Sequence, residues 1–144
     1  MLVSEILRIK GTTLYTTPPD APVLDAVKVM AQLDIGSLVV MDHGRMAGLV
    51  TFAEVLRALA DRGGTLGDLR ISAITEREPL TAAPSIDVME LRRNMLDRHA
   101  RYVPVMDGNM LLGVVSFHDV AKAVYEEQSF ENQMLKSYIQ DSPT

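Results

Sequence analysis

The chain has 144 residues, a formal net charge of −5 and 47% hydrophobic residues, enough for the core of an ordinary domain of about 100–200 residues. It has no cysteine, which excludes disulfides and thiol chemistry, and its negative charge argues against a broad nucleic-acid surface. No apolar run approaches the ~20 residues of a membrane span, and Glu5 interrupts the start where a signal peptide needs an unbroken apolar segment. We therefore expect a cytoplasmic protein that binds neither nucleic acid nor membrane.

The first half of the chain predicts a short strand, a helix, a β-hairpin and a second helix. The strand is Tyr15–Thr17, and apolar residues at helical spacing over 23–33 predict the first helix. The stretches SLVVMD and MAGLVT, separated by the polar break HGR, are typical of a hairpin. The segment FAEVLRALADR, opened by Thr51, predicts the second helix.

The second half repeats this order at an offset of 65 residues. Without a gap, 38–59 aligns with 103–124, and 8 of the 22 pairs are identical. A fixed offset of this kind indicates a duplicated supersecondary unit. The predicted fold is therefore α/β (α+β), with two pseudo-symmetric β-α-β-β-α repeats, each a small sheet packed against two helices. We assign 1–61 to the first repeat, 62–68 to a linker, 69–124 to the second repeat and 125–144 to a C-terminal helical extension. The leading strand of the second repeat is predicted at Leu80–Ala82.

A hydroxyl residue followed three positions later by a carboxylate opens the last helix of each repeat, as Thr51 with Glu54 and as Ser116 with Asp119. This spacing is typical of a capping box, which stabilises a helix by about 1 kcal/mol. The same helix N-terminus, directly after a strand, also suits a bound phosphate. Gly48 and Gly113, which precede the motifs, fit either a strand bend or the close approach of a ligand.

Three differences between the copies favour the second as the binding site. The side chain of Glu54 is long enough to fold back onto its cap residue, whereas we expect the shorter Asp119 to face outward. His118 in the first helical turn replaces the neutral Ala53, and suits a phosphate contact as well as an ordinary surface position. A basic cluster precedes the strand YVPVMD and suits either a solvated turn or an anion site; it consists of Arg98, His99 and Arg101.

Little in the sequence suggests catalysis or a metal site. The three histidines are too far apart to form a local ligand pair, and there is no nucleophile-elbow pattern and no P-loop. We therefore expect a protein that is not an enzyme and that requires no metal.

The repeated motifs resemble the CBS (cystathionine β-synthase) domain, present as a tandem pair called a Bateman module. The resemblance covers essentially all of 1–124, through T-x-x-P at 16–19 and 81–84, IGSLVVMD, ARYVPVMD and the glycine-to-carboxylate motifs. It implies an adenosine-containing ligand bound in a cleft between the repeats. In the second repeat it implies that Asp119 holds the ribose and that Ser116 and His118 hold the phosphate.

The resemblance also implies which segments flank the adenine. With the nearby Arg101, the favoured second-repeat set is Thr81, Ala82, Arg101, Tyr102, Val103, Pro104, Ser116, His118 and Asp119. The weaker first-repeat set is Thr16, Thr17, Leu38, Val39, Val40, Thr51 and Glu54, in which Glu54 departs from the usual Asp of the family.

These observations predict a stand-alone regulatory module that senses AMP or ATP and signals to a separate protein partner. NAD(H) or S-adenosylmethionine is an alternative ligand, and a ligand-free dimerisation scaffold is an alternative function. The tail carries an apolar stripe at helical spacing that includes Phe130, Met134 and Tyr138. It suits either packing on its own chain or a subunit contact, and the resemblance implies a homodimer formed through helices.

Overall fold

A computed structural model of the chain describes residues 1–11 and 13–141. The last three residues of the predicted extension, 142–144, lie outside the described residues. The helices are α1 (Val3–Lys10), α2 (Val23–Leu33), α3 (Phe52–Asp61), α4 (Val88–Arg98) and α5 (Phe117–Asp141), with a 3₁₀ turn at Ile71–Ala73. The strands are β1 (Thr16–Thr17), β2 (Ser37–Asp42), β3 (Arg45–Thr51), β4 (Tyr102–Asp107) and β5 (Met110–Ser116). Each helix in this part of the chain is too short or too polar to span a bilayer.

The two repeats build matching β-hairpins beside their helices, which confirms the predicted mixed fold. β2 and β3 form an antiparallel hairpin, as do β4 and β5. Each hairpin has one irregularity in register, between Val40 and Met41 in the first and between Val105 and Met106 in the second. These positions are related by the sequence offset, so the duplication extends to the details of strand pairing.

The predicted leading strand of the second repeat is wrong in extent. β1 pairs with β2 in parallel over two residues, whereas the second copy has only a parallel bridge between Ala82 and Val105. In the first repeat the Val39 N–H donates a hydrogen bond to the carbonyl of Tyr15, at 3.1 Å. The equivalent of Val39 is Pro104, which has no N–H to donate. The proline therefore removes the bond that would extend this strand.

Helix α1 was not predicted, and it packs against the second repeat. Its buried face is formed by Val3, Ile6 and Leu7, which belong to the core cluster that contains Leu91 and Met95 of α4. Conversely, Ile71, near the start of the assigned second repeat, is fully buried in the core of the first. The core of each repeat is thus completed by the first segment of the other repeat. The domain boundaries assigned along the chain stay a prediction.

At each of the two motif glycines, Gly48 and Gly113, another part of the chain packs too closely for a side chain to fit easily. An added Cβ at Gly48 would lie 2.2 Å from the carbonyl oxygen of Glu76, because Leu49 and Glu76 exchange two backbone hydrogen bonds of 2.9 Å. At Gly113 it would lie 2.9 Å from a methyl group of Leu7 in α1. This close packing within the chain is a third reason for the glycines, beside the strand bend and the ligand contact that the sequence left open.

Helix α5 is a single helix of 25 residues. Its first turns bury Val120 and Ala123 in the core of the second repeat. Beyond them the large apolar side chains are exposed, by 63% at Phe130, 57% at Met134 and 76% at Tyr138. The far part of α5 therefore carries an apolar surface that no described residue covers.

Candidate functional site

Two clefts lie between the repeats, one at the N-terminus of each repeat's last helix. We call them the α5 cleft, of about 520 Å³, and the α3 cleft, of about 450 Å³. The α5 cleft is lined by Lys10, 13–15, 34–37, Phe52, 101–102, Val114 and 116–118. The α3 cleft is lined by Leu49, 51–54, 56–57, Glu76 and 78–80 together with 98–102. Most of these segments are related by the offset of 65 residues, so the clefts are pseudo-symmetric.

Each cleft combines segments from both repeats. In the α5 cleft, Ser116 and His118 of the second repeat face residues 34–37, which join α2 to β2 in the first. In the α3 cleft, Thr51 and Glu54 of the first repeat face the equivalent turn of the second, 98–102. Sequence analysis had grouped candidate residues repeat by repeat, and therefore missed the partners contributed by the opposite repeat. The offset predicts that the sites are equivalent but not which segments cross over.

Six of the predicted site residues line a cleft. Ser116 and His118 lie in the α5 cleft, Thr51 and Glu54 lie in the α3 cleft, and Arg101 and Tyr102 line both. The others line neither cleft: Thr16, Thr17, Leu38, Val39, Val40, Thr81, Ala82, Val103, Pro104 and Asp119. Most of these are buried in the sheets, where Val39, Val40 and Val103 are fully enclosed. Their part in binding stays a prediction.

The basic cluster lies mainly at the other cleft from the one expected. Arg98 and His99 line the α3 cleft, opposite Thr51 and Glu54, and only Arg101 reaches the α5 cleft as well. The reason is that segments cross between the repeats: the turn after α4 faces the N-terminus of α3, where the motif of the first repeat lies. The cluster therefore does not distinguish the second motif in the way its position in the sequence indicated.

Both motifs form capping boxes. The Glu54 carboxylate accepts a hydrogen bond from the Thr51 N–H at 3.0 Å, and Thr51 Oγ1 accepts one from the Ala53 N–H at 3.2 Å. In the second repeat Asp119 Oδ2 accepts from the Ser116 N–H at 2.9 Å, and Ser116 Oγ accepts from the Asp119 N–H at 3.0 Å. The expectation that Asp119 would face outward is therefore wrong, because its shorter side chain closes the same box.

Asp119 is also bound by Lys10 from the last turn of α1. Lys10 Nζ donates to Asp119 Oδ2 at 2.7 Å and to the carbonyl of Val114 at 2.9 Å. Burial by itself would raise the pKa of Asp119, but the hydrogen bonds from Lys10 and Ser116 outweigh it and hold this pKa below its ordinary value. The carboxylate is thus charged at neutral pH, and Lys10 rather than Asp119 lines the α5 cleft.

Three side chains line both clefts and form the wall between them. The rings of Phe52 and Tyr102 meet edge to face, with centroids 6.1 Å apart, and the Arg101 guanidinium lies 5.4 Å from the centroid of Phe52. A Cβ on Gly36 would collide with the Tyr102 ring, so a glycine is needed here for the tyrosine to fit. We call these three residues, Phe52, Arg101 and Tyr102, the dividing wall.

Over residues 1–11 and 13–141, no three His, Cys, Asp or Glu side chains gather into a group that could hold a metal ion. Each cleft instead contains a helix N-terminus with a hydroxyl residue, cationic side chains and aromatic rings. Such a set of groups suits a ligand that has an anionic part and a flat ring.

Two mixed repeats facing each other across paired clefts define the architecture of a CBS domain pair. The family model of the CBS domain matches residues 3–61 and 71–126. The chain belongs to the CBS domain family. It is 32% identical to the mitochondrial CBS domain-containing protein CBSX3 of Arabidopsis thaliana, over 96% of this chain and 71% of that protein.

Solved structures show the same fold. A protein with CBS domains from Burkholderia ambifaria superposes with a TM-score of 0.83 and 31% identity, over 89% of this chain and 96% of its own. The CBS domain pair of protein MJ0100 has a TM-score of 0.76 and 24% identity, over 88% of this chain and 98% of its own. That pair was solved in complex with 5′-methylthioadenosine and S-adenosyl-L-methionine. The family and the fold identify the chain as a regulatory CBS pair.

Proposed function

We propose that the chain senses an adenosine-containing ligand, with AMP or ATP as the leading candidates, and that this ligand binds in the α5 cleft. The observation that carries the proposal is the α5 helix N-terminus, where Ser116 and His118 open onto a cleft of about 520 Å³ that Lys10 and Arg101 also line. The adenosine-type ligands of protein MJ0100, which has the same fold, support this ligand class.

The α5 cleft has a suitable group for each part of such a ligand. A phosphate at the helix N-terminus gains from the partial positive charge there and from the side chains of Ser116 and His118. Aromatic surface for a purine is supplied by Tyr15 and by Tyr102 of the dividing wall. Arg101 adds a guanidinium, whose planar set of N–H donors matches the geometry of a phosphate.

We assign the ribose to Asp119, whose Oδ2 is occupied by Lys10 in this structure. A ribose hydroxyl that reaches this oxygen would take the place of Lys10, which could then turn to the phosphate. The equivalent first-repeat position is Glu54, which departs from the usual Asp of the family and follows Ala53, where the second repeat has His118. The α3 cleft is therefore proposed as the weaker site.

The test is the increase in unfolding free energy that ligand produces, measured with AMP, ADP, ATP, NAD(H) and S-adenosylmethionine. A ligand at 100 times its dissociation constant should stabilise the parent by about 2.7 kcal/mol. Asp119→Ala should lose most of this increment, because a bond to a charged group is worth about 1.5–3 kcal/mol.

Glu54→Ala is the matched control, because it removes the same kind of cap from the other repeat. Both variants should lose about 1 kcal/mol of stability without ligand, but Glu54→Ala should keep most of the ligand increment. Equal increments in the two variants would contradict the role of Asp119. If no adenosine compound stabilises the parent, the sensor proposal fails and the ligand-free scaffold takes its place. A larger response to NAD(H) or S-adenosylmethionine than to AMP and ATP would change the ligand but not the site.

We further propose that ligand state is passed to a separate protein partner, in the cytoplasm and without catalysis by this chain. The packing of α1 against the second repeat supports the transmission of ligand state through the protein. Lys10 belongs to α1, so a ligand that displaces it acts on a helix packed against both β5 and α5. Incubation of the pure protein with the nucleotide that binds best should leave that nucleotide unchanged.

We propose a homodimer in which the far part of α5 contacts a second copy. Its apolar side chains continue the helix face that buries Val120 and Ala123, but are themselves largely exposed. A contiguous exposed apolar surface of this kind is unusual in a monomer. Met134→Glu should weaken the dimer at least about tenfold, measured by sedimentation equilibrium. Lys136→Glu, which changes the charge by two units instead of one at an exposed position two residues away, is the control. An unchanged dimer in Met134→Glu would exclude this contact.

A further inference from the structure

Arg101 connects the two clefts through both its backbone and its side chain. Its carbonyl oxygen accepts a hydrogen bond of 2.8 Å from the N–H of Phe117, the first residue of α5. Its guanidinium reaches the ring of Phe52, the first residue of α3, at 5.4 Å from the centroid. One residue therefore stands between the N-termini of the two helices that open the clefts.

The other cations at these clefts are already engaged by the protein. Lys10 is bound to Asp119 in the α5 cleft, and Arg57 is paired with Glu54 in the α3 cleft. Arg98 donates to the carbonyl of Glu78 at 3.5 Å. Arg101 instead rests on an aromatic face, an arrangement that leaves the edge of the guanidinium free to donate hydrogen bonds to a phosphate.

We infer that Arg101 is a shared phosphate-binding residue, which contacts the anionic part of a ligand in either cleft but in only one at a time. Two phosphate-bearing ligands then compete for a single guanidinium, so the second binds more weakly than it would to an otherwise empty protein. Uncharged nucleosides do not compete in this way. The inference rests on the proposed function, to which it adds anticooperative binding of anionic ligands.

The test requires ligand binding to be measured in one cleft while the other is blocked. Because the chain has no cysteine, a single introduced cysteine can carry the blocking group. Thr13 lines the α5 cleft and Glu78 lines the α3 cleft; both are exposed and are related by the offset of 65 residues. Thr13→Cys and Glu78→Cys, each coupled to pyrene maleimide, fill one cleft and leave the other open. The uncoupled cysteine variants are the matched controls, and titration calorimetry gives the stoichiometry and affinity for AMP and for adenosine.

In both coupled proteins, Arg101→Gln should weaken AMP binding at least about tenfold, because it removes a charge-assisted bond. In the uncoupled proteins, which have both clefts open, the second AMP should bind at least about fivefold more weakly than AMP binds to the coupled protein that has only that cleft open. A fivefold effect is typical of coupling between sites. Adenosine should show neither effect, and Arg101→Gln should abolish the coupling for AMP.

A loss of affinity in only one coupled protein would overturn the inference, and so would two independent AMP sites in the uncoupled proteins. These results are distinct from failure of the proposed function, in which neither AMP nor adenosine binds to any of the proteins.

Discussion

Gly48→Ala is expected to lower the free energy of unfolding by about 3 kcal/mol, the upper end of the usual cost of overpacking. The new Cβ would lie 2.2 Å from the backbone oxygen of Glu76, and this residue's backbone, held to Leu49 by two hydrogen bonds, cannot move aside cheaply. Denaturant unfolding monitored by circular dichroism measures the change.

Gly113→Ala is the control for this prediction, because it makes the same substitution at the equivalent position of the second repeat. There the Cβ would meet the end of the Leu7 side chain at 2.9 Å, and a methyl group can turn away. We expect a loss of about 1 kcal/mol. A loss at Gly113 as large as that at Gly48 would contradict the distinction between backbone and side-chain contacts.

Ile71→Ala should cost about 2–5 kcal/mol, as expected for a fully buried isoleucine. Because Ile71 packs in the first repeat's core, amide exchange should accelerate more in β2 and β3 than in β4 and β5. Ile9→Ala, at a position that is 73% exposed, should change stability by no more than about 0.5 kcal/mol. Faster exchange mainly in β4 and β5 would show that the segment supports its own repeat instead.

The repeats were predictable because hydrophobic spacing and the fixed offset agree over most of the chain. Two elements differ from the prediction, the strand near Ala82 and helix α1, and each has a local reason. Pro104 lacks the N–H that would extend the strand near Ala82. The apolar positions Val3, Ile6 and Leu7 have helical spacing before Gly11, so α1 could have been found from the same pattern.

The candidate site was less predictable, because it depends on which segments cross between repeats. The motif residues Ser116 and Thr51 were correctly placed at helix starts, since local spacing determines a cap. The partners of each motif come from the other repeat, and nothing in a single repeat specifies its orientation relative to its copy. The outward orientation expected for Asp119 was wrong because its short side chain closes the capping box, and its second partner, Lys10, lies 109 positions away and is not visible in the local spacing.

The exchange of segments between repeats means that the duplicated stretch of sequence is a unit of ancestry but not a unit of folding. Val3 and Ile6 pack in the core of the second repeat, and Ile71 packs in the core of the first. A chain divided between the repeats would leave each half carrying the piece that the other half lacks. The two halves are therefore mutually dependent, and a shift of either exchanged segment first alters the core packing of the opposite repeat.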